Sequence, residues 1–101
     1  MPNDKSIELK IQNLRTAKSA YILEADSLLA RGLDSAGMAL FVSGAAELEL
    51  ELAGLFSAQG NGKSAQVSLR SAGFCYSRAW QFGRAREVLK QVAEQFADVR
   101  E

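Results

Sequence analysis

Apolar residues recur along this chain at the three- and four-residue steps of an α-helix, and that spacing leaves one fold class open. Ala85, Val88, Leu89, Val92, Ala93 and Phe96 form one such stripe, and Ala65, Leu69, Ala72, Tyr76 and Ala79 form another. The N-terminal third repeats the pattern with Ile7, Ile11, Leu14, Tyr21, Ala25 and Leu28. Between them lies a segment with two stripes. Met38, Phe41, Ala45, Leu48, Leu52 and Leu55 make the first, and Ala39, Ala46, Leu50 and Ala53 the second. A helix apolar on two faces is packed from both sides, so this segment is expected at the centre. With 16 alanines and 13 leucines among 101 residues, intrinsic propensity points the same way.

One run argues otherwise. Glu47-Leu48-Glu49-Leu50-Glu51-Leu52 alternates strictly, as a half-buried strand would. The helical reading prevails, because Leu and Glu are good helix formers and the flanks keep the 3.6-residue period unbroken. Three breaks divide the chain. Gly32 suits a left-handed helix cap, with Asp34 or Ser35 capping the next start. Gly60-Asn61-Gly62 is the clearest turn, since all three residues tolerate positive φ. The third break falls between Arg78 and Gly83. The expectation is a single all-α domain with helices near 4–31, 35–58, 63–78 and 83–98. Short turns make neighbours antiparallel. At ~1.5 Å per residue the first two helices reach roughly 36–42 Å and the last two roughly 24 Å, so the ends of the long pair lack cover.

The joints repeat. Small residues flank each break: Ala30 and Ala36, Ala58 and Ala65, Ala79 and Ala85. Leu69 lies four past Ala65, and Leu89 four past Ala85. From Leu69 to Ala97 the chain resembles tetratricopeptide-like helical hairpins, in particular the longer-helix variants of SNAP-like proteins. Gly73, Tyr76, Ala85 and Leu89 fall on the small, aromatic, small and large apolar positions. Trp80 stands where the family usually has glycine, and Ala97 where a proline is expected. A second register places Ala53, Phe56, Gly60, Ala65 and Leu69 on the same scheme. The resemblance implies an open array that holds a peptide or partner surface in a concave groove. The alternative is a closed four-helix bundle of the same helices, with no groove.

Chemistry is narrowed mainly by absence. The sequence has no histidine, which removes the Ser-His-Asp triad, the Cys-His dyad, HExxH zinc sites and Glu-x-x-His di-iron bundles. Cys75, the single cysteine, forms no intramolecular disulfide and reads as a buried small hydrophobe in a reducing cytoplasm. The polar start Met1-Pro2-Asn3-Asp4-Lys5 has no signal-peptide core, and no apolar run is long enough for a membrane. Gly62-Lys63-Ser64 ends like a phosphate-binding loop. Ser57 stands where that motif needs glycine, and the loop follows a helix, so a turn and a helix start explain the letters. Glu47 and Glu51 sit one helical turn apart and repel each other mildly, so Arg70 or Arg78 is expected nearby. Residues 32–62 carry four acids and no base, whereas residues 63–101 carry seven bases against four acids. An acidic helix beside a basic one accounts for this split, and without a basic run nucleic acid is not an expected partner.

The expected function is therefore a non-enzymatic interaction module that binds a protein or peptide, with no cofactor and no metal. The alternative is a self-associating homodimer, which would help a core of only modest size. The candidate interface is Arg70, Arg78, Trp80, Phe82 and Arg84. Trp80, the only tryptophan, either closes the end of the core or stands exposed as an anchor. Gly37, Gly44, Gly54 and Gly73 interrupt helices at ~1 kcal/mol each, which calls for close helix–helix approach as an offset.

Overall fold

The computed structural model describes residues 4–32 and 35–95. It contains four helices: α1 (Asp4–Ala30), α2 (Ser35–Ala58), α3 (Gly62–Arg78) and α4 (Phe82–Gln95). The fold class and all four helices agree with the sequence reading, and Glu47–Leu52 lies in the middle of α2. Asp34, a candidate cap, and Phe96 to Asp98, the expected end of the last helix, lie outside the described residues.

Packing follows chain order. Helix α1 lies on α2, α2 on α3, and α3 on α4, and no other helix pair is in backbone proximity among the described residues. Contacts run in opposite senses along each pair. Ile11 packs beside Leu52 and Phe56, while Ala25 packs beside Met38 and Val42, which makes α1 and α2 antiparallel. The principal extents of 45 × 32 × 18 Å describe a slab, as expected when two long helices lie beside two short ones.

The two-striped α2 is central, as its sequence requires. Its Ile11-facing residues Leu52 and Phe56 close one cluster with α1 and Ala65. Its second stripe, through Ala46 and Ala53, joins Leu69, Ala72 and Tyr76 of α3 and Ala85, Val88 and Val92 of α4 in the largest cluster. Every residue of the expected α3 stripe is buried. Alanines on that stripe let α2 and α3 approach closely, and Tyr76 fills the space that remains.

Two of the helix-interrupting glycines have the close contacts that offset their cost. A Cβ on Gly73 would lie 2.6 Å from Leu89 Cγ, and one on Gly44 would lie 2.7 Å from the Tyr21 ring. Gly54 is different: a Cβ there would meet nothing within 4 Å, so helix packing does not explain this glycine.

Candidate functional site

Helices α2 and α3 end in the same way. At the first end, the Asn61 amide donates to the Phe56 carbonyl (2.9 Å) and the Gly60 amide to Ser57 (3.0 Å). Twenty residues on, the Gln81 amide donates to Tyr76 (2.8 Å) and the Trp80 amide to Ser77 (3.0 Å). Both sets form the six-to-one and five-to-two pattern that closes a helix through one left-handed residue. Gly60 fills that place at φ 75° and Trp80 at φ 61°. The repeat seen in the sequence is thus a repeat of hydrogen bonds, with the carbonyl of an aromatic residue (Phe56, Tyr76) accepting in each closure. Gln81 fastens the second turn further, its side-chain amide donating to Ser43 Oγ at 2.8 Å.

A bulky residue at positive φ is strained by roughly 1–2 kcal/mol, because its Cβ crowds the neighbouring carbonyl. The Trp80 ring recovers little of this, since the residue is 56% exposed. It therefore does not close the end of the core. Phe82, which starts α4, is 61% exposed. Trp80→Gly is expected to leave stability unchanged or raise it by up to ~1 kcal/mol, as relief of strain exceeds the lost packing. Urea unfolding of the two proteins checks this, and a clear loss of stability would assign the ring a packing role.

The basic members of the expected interface are placed unequally. Arg84 lies over the Tyr76 ring, 4.8 Å from its centroid. It donates to the Tyr76 hydroxyl at 2.9 Å and approaches Glu47 at 3.1 Å. The hydroxyl in turn donates to Glu47 Oε1 at 2.5 Å, so α2, α3 and α4 meet in a closed polar triangle. Burial pushes the Tyr76 phenol above its ordinary range, and its bond to Glu47 adds to the rise. The cation beside Glu47 is thus Arg84, which corrects the expectation of Arg70 or Arg78. Arg78 instead reaches Asp26 of α1 at 3.0 Å. Arg70 projects from the side of α3 opposite its buried stripe and makes no ion pair among the described residues.

A recess of about 260 Å³ opens between α1 and α3, with α2 as its floor. Arg15 and Lys18 stand on the α1 wall, Lys63 and Val67 on the α3 wall, and Leu52 and Phe56 below. Arg15 lies over the Phe56 ring at 5.3 Å. Glu49 also faces this space; it is buried, and Lys18 Nζ is its ion-pair partner at 3.7 Å. Sequence reasoning passed over these residues because it weighed Glu47 and Glu51 as a pair and left Glu49 between them unexamined. Cys75, half-buried behind Glu49, behaves as expected for a packing residue. Burial raises its thiol pKa, with Glu49 adding to the effect, so no thiolate is favoured.

No protein-family model, curated protein or solved structure matches the chain. Among the described residues no helix is long and apolar enough to cross a membrane, and no three His, Cys, Asp or Glu side chains cluster to hold a metal ion.

Proposed function

We propose that this chain is a small, non-enzymatic interaction module of two tetratricopeptide-like hairpins, α1–α2 and α3–α4, that binds a protein or peptide partner. The strictly sequential packing carries the reading. A closed bundle would set α1 beside α4, whereas here, among the described residues, the backbone of each helix lies close only to those of its chain neighbours and a recess stays open between α1 and α3. The residues behind the family resemblance also fit, since Leu89 is pressed against Gly73 while Tyr76 and Ala85 are buried between the helices. The strained, exposed Trp80 beside Phe82 supports an anchoring role at the α3–α4 turn, because strain retained at an exposed residue is a mark of function. The polar side chains that converge bind one another: Glu47, Tyr76 and Arg84 satisfy their own hydrogen bonds and hold helices together. The lone thiol of Cys75 suits a reducing compartment such as the cytoplasm.

A homodimer is the second reading, favoured by Leu9 and Leu23, which lie on one side of α1 at 57% and 72% exposure. Light scattering after size exclusion, over a wide range of concentration, separates the two. The module reading expects a monomer throughout. A dimer that persists at the lowest concentration would transfer the function to self-association.

A further inference from the structure

The outer side of α3 is neither apolar nor simply charged. Lys63, Val67, Arg70, Phe74 and Arg78 follow steps of four, three, four and four residues, which gathers them within an arc of about 80°. All five are exposed, Val67 at 63% and Phe74 at 62%. Helix α3 contains no acidic residue. Lys63 and Val67 of this ridge line the recess on its α3 side, and Arg15 stands on the opposite wall.

Internal pairing accounts for only part of this positive charge. Glu49 is matched by Lys18 and Asp26 by Arg78. Arg15, Lys63 and Arg70 have no carboxylate partner among the described residues. Arg15 and Lys63 thus stand as unmatched cations across the recess, and Arg70 is a third, beside the exposed Val67 and Phe74 on the outer face of α3. The backbones of α1 and α3 both rest on α2 and stay apart from each other, bridged by the Arg78–Asp26 ion pair, and the recess lies between them. The face repeats at helical spacing, and the element that matches it ridge to groove is another helix.

We propose that the recess and the outer face of α3 receive an acidic amphipathic helix from a partner protein. Its apolar side chains sit on Val67 and Phe74, and its carboxylates face Arg15, Lys63 and Arg70. This rests on the interaction-module reading and adds the chemistry of the partner. A second copy of the chain is a poorer occupant, because none of its described helices offers such a face. In α2, Glu47 is tied to Tyr76 and Arg84 and Glu49 is buried, while α1 and α4 mix acids with bases. A lipid surface is flat and would touch the α3 ridge while leaving the recess empty.

Selection from a displayed library of helical peptides of random sequence, with the full chain as bait, tests the proposal. Enriched peptides are expected to carry Asp or Glu beside Leu or Phe at steps of three and four. In fluorescence anisotropy their binding should weaken about tenfold or more in the double variant Lys63→Glu/Arg70→Glu. Lys63→Gln/Arg70→Gln should weaken it less, and circular dichroism with urea midpoints should show both variants folded, since both positions are exposed. Peptides that are neutral or basic, or that ignore both variants, would overturn the acidic partner while leaving the module reading intact. No enrichment at all would overturn the partner helix and leave the module reading to the light-scattering result. Sedimentation with phosphatidylserine-rich vesicles, lost in the charge-reversed variant and without peptide enrichment, would replace the partner helix by a lipid surface. A wild-type dimer dissociated by that variant would replace it by a second copy.

Discussion

Truncating Tyr76 to alanine is expected to cost about 3–5 kcal/mol, a large share of the ~5–15 kcal/mol that holds a domain of this size. The residue is fully buried and is the largest side chain so enclosed among the described residues. It sits where Ala46, Ala72, Ala85 and Val88 supply only small neighbours. Helix axes fixed by alanine contacts cannot close further over a lost ring, so the cavity persists and its lining loses contacts outright. The hydroxyl adds a separate contribution. Tyr76→Phe keeps the ring and removes one donor from the Glu47–Arg84 pair, which remains joined at 3.1 Å and reachable by water. That variant should lose only about 1 kcal/mol. Guanidinium unfolding of both variants measures the division, and equal losses would show that the polar triangle, rather than the filled space, joins the three helices.

The helices were legible because their apolar periods are long and the breaks use Gly32 and Gly60, both at positive φ in the structure. The turn at Trp80 was harder to place. Its letters give no left-handed signal, and the Gln81–Ser43 bond that fastens it comes from a helix far away in sequence. The joint could still be located by aligning Phe56-to-Leu69 on Tyr76-to-Leu89, since the backbone repeats where one turn residue does not. Charge partners were less legible. Arg84 reaches Glu47 only because the second hairpin folds α4 back along α3, and Arg78 finds Asp26 because α1 and α3 run in the same direction on α2. Spacing within one helix cannot report a neighbour two helices away. Glu49 was readable in principle. Ala45, Ala46, Leu52 and Ala53 lie three and four residues to either side of it, and all are buried, so the helical period puts the carboxylate in the core.

That buried carboxylate carries the second large effect. Lys18→Met is expected to destabilise the chain by about 3 kcal/mol, because it leaves Glu49 enclosed without its cation. The value falls at the low end for a buried pair, as Lys18 keeps 30% of its side chain exposed and some water reaches the site. Glu49→Leu alone should cost little, since Lys18 can turn its ammonium outward along its flexible stem. The double variant, Lys18→Met with Glu49→Leu, should then match or exceed the wild type. The attraction lost is offset by two desolvation costs that no longer arise. Urea unfolding of all four proteins closes the cycle, and losses that simply add would mean that the pair at 3.7 Å is not energetically joined. A recovery in the double variant would leave the pair without a role in stability. Its role would then lie in the recess, where a carboxylate fixing Lys18 against the α2 floor leaves Arg15 and Lys63 as the cations free to meet a partner.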